Sequence, residues 1–494
     1  MIISMIKKII FFLLCFILIA GCSSIYNTST LKSDPISYYP DKISDLEIEG
    51  STKAIIAVNT DTTIAASASL GVSPLKTSTS LQKLTQSNTT LKSNYEFKEP
   101  FLNQIPIYTS LKAPTNADMT HKPSKLTDPE ITTFYDAYEE NNVQAIQVTS
   151  NNSCIIYVEK TWYDSQNLDS NTHFNTNISH ILSYFHDTVI PQTENALGSS
   201  ISTLTDVDRN GKVILFFMDF NEASLAGYVW AINLFKKTIP LAEKSNEKEI
   251  IFINNNKIDI TKTDTESFKH VIAHEYAHLV GQSYRLQTKN YNFEFDSWIE
   301  EGIAEGLTPI LSDDSDILKA SFEGLNYVKE GTGFLKSGSI DAIIYKLSYT
   351  FLEYCRIQMN KTADFYQELI SHSAQSGDST NGISGISNHI VIDTIILENN
   401  PSNNETKLRN FEDAVISYKI ANFVKHPSNK YGYKNHELSN SIPSLLGPST
   451  TSPSLESSGA VYYISGNQYS ETTIDNFIPG NSGETIKFLR ISPP

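Results

Sequence analysis

The chain changes texture several times, and each change predicts a different kind of element. Between residues 150 and 260 three short runs are almost wholly apolar: "CIIYVEK" (154–160), "KVILFFMD" (212–219) and "EIIFIN" (249–254). Runs of that length, rich in β-branched and aromatic residues, predict buried strands. "ISHILSYFHDTVI" (178–190) spaces its apolar positions at helical intervals instead, and the same period recurs over 264–280, 296–311, 340–358, 363–373 and 407–424. A mixed sheet followed by a helical lobe is an α+β arrangement. Outside this block the pattern thins. "DLEIEG" (45–50) and "KAIIAVNTD" (53–61) read as short strands, whereas 62–95 is rich in Ser and Thr with few bulky groups to bury and reads as a mobile insert or linker. Beyond 426 the chain turns Ser-, Pro- and Gly-rich around "AVYYISG" and "TIKFLRI", which predicts a small β appendage. No internal repeat of fixed period is visible.

The first residues follow a different logic. Lys7 and Lys8 precede an apolar run from Ile9 to Ile19, which ends in Ala20, Gly21 and Cys22. That is the layout of a secretory signal peptide, and the run is short for a membrane-spanning helix. Small residues immediately before a cysteine resemble the lipobox of bacterial lipoproteins, which implies cleavage ahead of Cys22 and its acylation. The protein is then expected in the bacterial cell envelope, held to a membrane by its lipid and facing the periplasm or the exterior. The expected division is a signal peptide over 1–21, a tether over 22–43, a β-rich and low-complexity region over 44–149, a catalytic unit over 150–425 and a β appendage over 426–494. A propeptide role for the segment from 23 to about 130 is a second reading of the same stretch.

Composition narrows the partners. At 494 residues, with 40% apolar and 11% aromatic content, the chain can bury two or three cores. Its 38 basic and 55 acidic residues give a formal charge of −17, which repels phosphate backbones and argues against a nucleic-acid partner. After loss of Cys15 and modification of Cys22, only Cys154 and Cys355 are left in the folded part, too few for a disulfide framework. Pairing and two buried free thiols both fit the sequence.

The segment "FKHVIAHEYAHLVG" (268–281) carries the most specific chemistry. Thr263 and Glu266 have capping-box spacing, Phe268, Val271, Ile272 and Leu279 share one helical stripe, and Gly281 is read as the helix stop. On such a helix His274 and His278 lie one turn apart on one face, so both rings can reach one ion, with Glu275 beside them. This is the H-E-x-x-H arrangement of zinc peptidases, in which the glutamate is the general base. Catalytic zinc takes three protein ligands and leaves a position open for water, so a third donor is required. The metzincin solution would place a histidine where this chain has Tyr284. A glutamate on a following helix is the gluzincin solution, and "DSWIEEGIAEGL" (296–307) offers one.

"WIEEG" (298–302) resembles the Trp-x-x-Glu-Gly signature of gluzincins, which maps the third ligand to Glu301. Glu305, one turn further along the same face, is placed to accept a hydrogen bond from a ligand histidine. Together with "DVDRNGKVILFFMD", "GYVW" and "EIIFIN", the two segments resemble the hyicolysin-type family of gluzincin metallopeptidases over roughly residues 150–425. The resemblance implies a thermolysin-like catalytic domain, one zinc ion and hydrolysis of peptide bonds in a protein or peptide substrate.

Other assignments follow from weaker signals. Tyr345, with Tyr349 one turn on, is a candidate donor to the oxyanion of the tetrahedral intermediate. His270 sits a turn before His274 and is read as structural or as support for a ligand, because a further ligand would close the open coordination position. "DVDRNG" begins like a calcium loop through Asp206, Asp208 and Asn210, but Phe217 occupies the place of the bidentate glutamate, so a turn is favoured over calcium. No acidic, Gly-led motif precedes the zinc helix, which favours an endopeptidase over an aminopeptidase, and an edge strand within 249–260 would pair with an extended substrate. The competing class is a catalytically silent surface lipoprotein, an adhesin or binding module on a peptidase scaffold.

Overall fold

The computed structural model describes residues 43–47, 51, 54–60, 66–67, 131–168, 171–221, 225–239, 242–262, 267–288, 297–315, 333–335, 342–375, 388–400, 407–426, 429–436, 438, 454–455, 460–464 and 486–492. The signal peptide with Cys22, almost all of the 62–95 insert and the capping-box pair Thr263 and Glu266 lie outside the described residues. Among the described residues no helix is long and apolar enough to cross a membrane.

The chain is α+β. Its strands are β1 (Ile43–Glu47), β2 (Ala54–Asn59), β3 (Ala66–Ser67), β4 (Ile131–Asp136), β5 (Asn141–Ser150), β6 (Cys154–Glu159), β7 (Val213–Met218), β8 (Gly227–Val229), β9 (Ile250–Asn254), β10 (Ser454–Leu455), β11 (Ala460–Ile464) and β12 (Ile486–Ser492). Its helices are α1 (Lys160–Gln166), α2 (Thr172–Tyr184), α3 (Ile190–Ser202), α4 (Ser267–Thr288), α5 (Ser297–Leu311), α6 (Ala342–Gln358), α7 (Asp364–Gln375), α8 (Asn388–Asn399) and α9 (Phe411–Val424).

A six-stranded mixed sheet of order β4-β5-β6-β7-β9-β8 forms the first lobe, with β6, β7 and β9 mutually parallel and the rest antiparallel. The period-two geometry of a strand explains why its central members are apolar throughout. On β7, Val213, Leu215 and Phe217 face the core shared with the helices, while Ile214, Phe216 and Met218 face a second core with Phe134, Tyr228, Trp230 and Phe252. The sheet begins earlier than residue 150, because β4 and β5 form a hairpin that pairs onto β6. Segments expected as separate N- and C-terminal regions also share one sheet, of order β1-β12-β2-β11. Its inner face joins the helical core through Ile56, Val58, Tyr462 and Leu489, and the Tyr462 hydroxyl donates to the Lys419 carbonyl on α9 at 3.0 Å.

The helical stretch expected over 178–190 is longer. α2 is capped by Asn171, whose side chain accepts from the Phe174 amide at 3.0 Å, and it runs through a π-helical turn (Phe185–Val189) into α3. Pro191 lacks an amide and its ring would press on the carbonyl of Asp187, so widening this turn lets the helix continue. α8 was given no element by its sequence pattern. Its run of Ile390, Val391, Ile392, Thr394, Ile395 and Ile396 is β-branched enough to look like a strand, and burial of Val391, Ile392, Ile395 and Ile396 in the helical core decides in favour of helix. Cys154 and Cys355 are both buried free thiols.

Two glycines set the spacing in the helical lobe. A methyl group on Gly302 of α5 would lie 2.7 Å from Leu352 Cδ1 on α6, and one on Gly306 would lie 2.1 Å from the Tyr366 hydroxyl on α7. Tyr366 cannot easily move aside, since its hydroxyl donates to Glu353 at 2.8 Å. Close approach at these two points seats α5 against α6 and α7.

Candidate metal centre

The centre is built from α4 and α5. α4 runs on to Thr288 and does not stop at Gly281, correcting the expected helix end. Gly281 has no positive φ, and a side chain there would meet nothing within 4 Å. Past it, Ser283 bonds to the Thr205 amide and Arg285 pairs with Glu300, so tertiary contacts carry the helix through. α5 is anchored by Trp298, which is buried against Phe334, Phe351 and Phe411.

Three side-chain atoms converge between the helices. His274 Nε2 and His278 Nε2 are 3.1 Å apart, and each lies 3.3 Å from Glu301 Oε2. All three residues are buried, and neither oxygen of Glu301 accepts a hydrogen bond. A tetrahedral ion with bonds of ~2.0–2.2 Å places its donors about 3.3–3.6 Å apart. Two edges of the triangle lie at the short end of that range and the His274–His278 edge just below it, and a buried carboxylate that takes no hydrogen bond is otherwise costly. Burial holds His274 below its ordinary imidazole value, leaving a neutral ring with a lone pair to donate. Burial alone would raise Glu301, but the facing His278 and His274 rings outweigh it and hold the carboxyl below its ordinary value, so it is ionised at neutral pH.

Carboxylates also stand behind both histidines. Glu305 Oε1 lies 3.9 Å from His274 Nδ1, and its other oxygen lies 3.7 Å from His270 Nε2. Glu300 Oε2 lies 3.8 Å from His278 Nδ1, and Glu300 is itself ion-paired with Arg285. Sequence reasoning picked out Glu305 and His270 but missed Glu300 and Arg285. The available signals were adjacency to Glu301 and the seven-residue spacing from His278 to Arg285, which keeps a helix face. Glu300 is held below its ordinary carboxylate value, since Arg285 and His278 together overcome the upward push of burial.

No family model matches the chain, and no curated protein matches it either.

Glu275 is buried on α4 beside the triangle and outside the groups that could share an ion with it. A methyl on Gly227 would lie 3.1 Å from Glu275 Cγ and 3.0 Å from Val271 Cγ1, so β8 crosses α4 at close range here. β8 is the sheet edge on this side, not the 249–260 segment expected in that role. β9 lies between β7 and β8, with its backbone bonds committed to both neighbours, and cannot receive a substrate strand. Tyr345 is buried with its ring 6.3 Å from that of His274, whereas Tyr349 faces the Tyr366 and Arg356 network one turn away.

The "DVDRNG" turn closes largely on itself. Asp206 accepts from the Asn210 and Gly211 amides at 3.0 and 3.1 Å, Asn210 accepts from the Lys212 amide at 2.7 Å, and Lys248 pairs with Asp208 at 2.6 Å. Phe217 is buried within β7. Glu249 approaches Asp206 and Asp208 from the start of β9, with ligand atoms of the three residues within 4.8 Å of one another. Burial pushes the Glu249 carboxyl up to about 8 from its ordinary 4.5, against a lowering by the Val207 amide that it accepts at 2.7 Å.

The sign of its effect on stability follows. Between pH 4.5 and about 8 the unfolded chain has released this proton while the folded chain keeps it, so rising pH favours unfolding through this window. Glu249→Gln is neutral at every pH and keeps the acceptor for Val207. The variant is expected to lose less stability than wild type between pH 5 and 9, as read by urea midpoints at the two pH values.

Proposed function

We propose that this chain is a zinc-dependent peptidase with a thermolysin-like catalytic unit, acting as an endopeptidase on extracellular polypeptides and held to the bacterial envelope through a lipid on Cys22. The observation that supports it best is the convergence of His274 Nε2, His278 Nε2 and Glu301 Oε2 within 3.1–3.3 Å of one another, around a buried carboxylate that accepts no hydrogen bond. A two-histidine, one-carboxylate set is one that catalytic zinc uses. When bound, zinc supplies Lewis acidity that polarises a substrate carbonyl and brings the pKa of water near neutrality.

The chain's own residues do the rest. Glu275 takes the proton from the attacking water and passes it to the leaving amine. Its burial between α4 and β8 keeps the carboxylate out of bulk water. Tyr345, beside His274, supplies a hydroxyl toward the developing oxyanion. Glu305 and Glu300 place carboxylates 3.9 and 3.8 Å from the Nδ1 atoms of His274 and His278, favouring the tautomer that frees Nε2 for the ion, and His270 pairs with Glu305.

Digestion of casein by the purified chain tests this reading. Cleavage is expected, with loss on adding a chelator and recovery on restoring zinc. A zinc-loaded chain that leaves casein and other unfolded proteins intact would instead favour the silent surface lipoprotein.

A further inference from the structure

We propose that Arg285 and Glu300 form a positioning pair for His278, tuning how tightly that imidazole donates to the metal. The inference rests on the metal-centre reading above and assigns a role to two residues that no zinc-peptidase motif in the sequence includes. The pair follows from the helix geometry. Glu300 and Glu301 are consecutive on α5, and the turn between them sends Glu301 Oε2 to His278 Nε2 and Glu300 Oε2 to Nδ1 of the same ring. Arg285 lies two turns beyond His278 on α4 and reaches Glu300 only because the helix continues past Gly281.

Both side chains of the Arg285–Glu300 pair are 5% exposed. Burying two charges costs desolvation that their attraction offsets only in part, so stability alone is a poor reason for the pair. With Nε2 given to a metal, Nδ1 of His278 carries the proton, 3.8 Å from Glu300 Oε2, an ion-pair distance longer than a hydrogen bond. A carboxylate on that side favours the Nδ1–H tautomer and raises the basicity of the donor nitrogen. Arg285 in turn holds the Glu300 carboxylate in place. His274 has the corresponding carboxylate in Glu305, which faces His270 where Glu300 faces Arg285. The two ligand histidines are thus supported by different partners, an imidazole on one side and a guanidinium on the other.

The test is a double-mutant cycle on metal affinity in the full chain. Zinc affinity is measured by competition with a chromophoric chelator, and the visible spectrum of the cobalt(II)-substituted protein reports coordination. Glu300→Gln, which keeps the volume, is expected to weaken zinc about 10–100-fold and to shift the cobalt bands. Arg285→Met is expected to weaken zinc in the wild-type background and to add nothing to Glu300→Gln, because it acts through Glu300. Should Glu300→Gln not fold, Glu300→Asp draws the carboxylate back from His278 while keeping its charge, and the same loss is expected. A merely structural pair would change the unfolding midpoint of the metal-free protein and leave zinc affinity alone. The proposal is overturned if both Glu300 variants bind zinc within about twofold of wild type, or if Arg285→Met acts equally in both backgrounds. A wild-type chain that binds no zinc would overturn the metal centre itself, a separate outcome.

Discussion

Glu275→Gln is expected to lower kcat by about 10²–10⁴-fold while the chain still binds one zinc ion. The two halves of that expectation come from different features. Metal retention follows from geometry, since Glu275 contributes to none of the groups that could hold an ion and the three converging donors come from His274, His278 and Glu301. Loss of turnover follows from chemistry, since an amide cannot accept a proton from water at neutral pH. Glutamine has the same length and nearly the same volume, so the close contact among Glu275, Val271 and Gly227 is kept. A fall in rate therefore reports the lost base and not a repacked helix. Measuring peptide turnover beside metal content decides the matter, and wild-type turnover at full metal content would remove Glu275 from its role.

Much of the centre was legible in the sequence because the helical period ties residue spacing to direction. Four residues separate His274 from His278, four separate Glu301 from Glu305, and these spacings alone put each pair on one face. Glu300 and Arg285 were less visible because their roles depend on how α4 and α5 cross, and that crossing is set by contacts far away in the chain. Gly302 and Gly306 seat α5 by leaving room for Leu352 on α6 and Tyr366 on α7. The end of α4 was misjudged for the same reason. Gly281 is a local stop signal, but the bonds of Ser283 to Thr205 and of Arg285 to Glu300 outweigh its preference. The strands β6, β7 and β9 could be read from composition, whereas the pairing of β2 with β11 and β12 joins segments some 400 residues apart, and no local pattern encodes it. α8 went without an element because its run is β-branched, and burial among helices makes it a helix.

The second large effect expected is on the metal itself. Glu301→Ala and His278→Ala should each reduce bound zinc from close to one per chain to a small fraction under conditions that load the wild type, as read by metal analysis after gel filtration. Glu305→Ala should keep the stoichiometry at saturating zinc and lose about 10–100-fold in affinity, because Glu305 touches the ion only through His274. Retention by Glu301→Ala beside loss in Glu305→Ala would move the third ligand one turn along α5. The stability of the Glu301 variant carries a sharper signature. In wild type, zinc at about 100 times its Kd should add about 2.7 kcal/mol to stability, and Glu301→Ala should abolish that increment. Without metal that increment is absent from both chains, so a loss of stability in Glu301→Ala that grows with added zinc marks a carboxylate kept for a cation, whereas a purely structural acid would cost the same in both states.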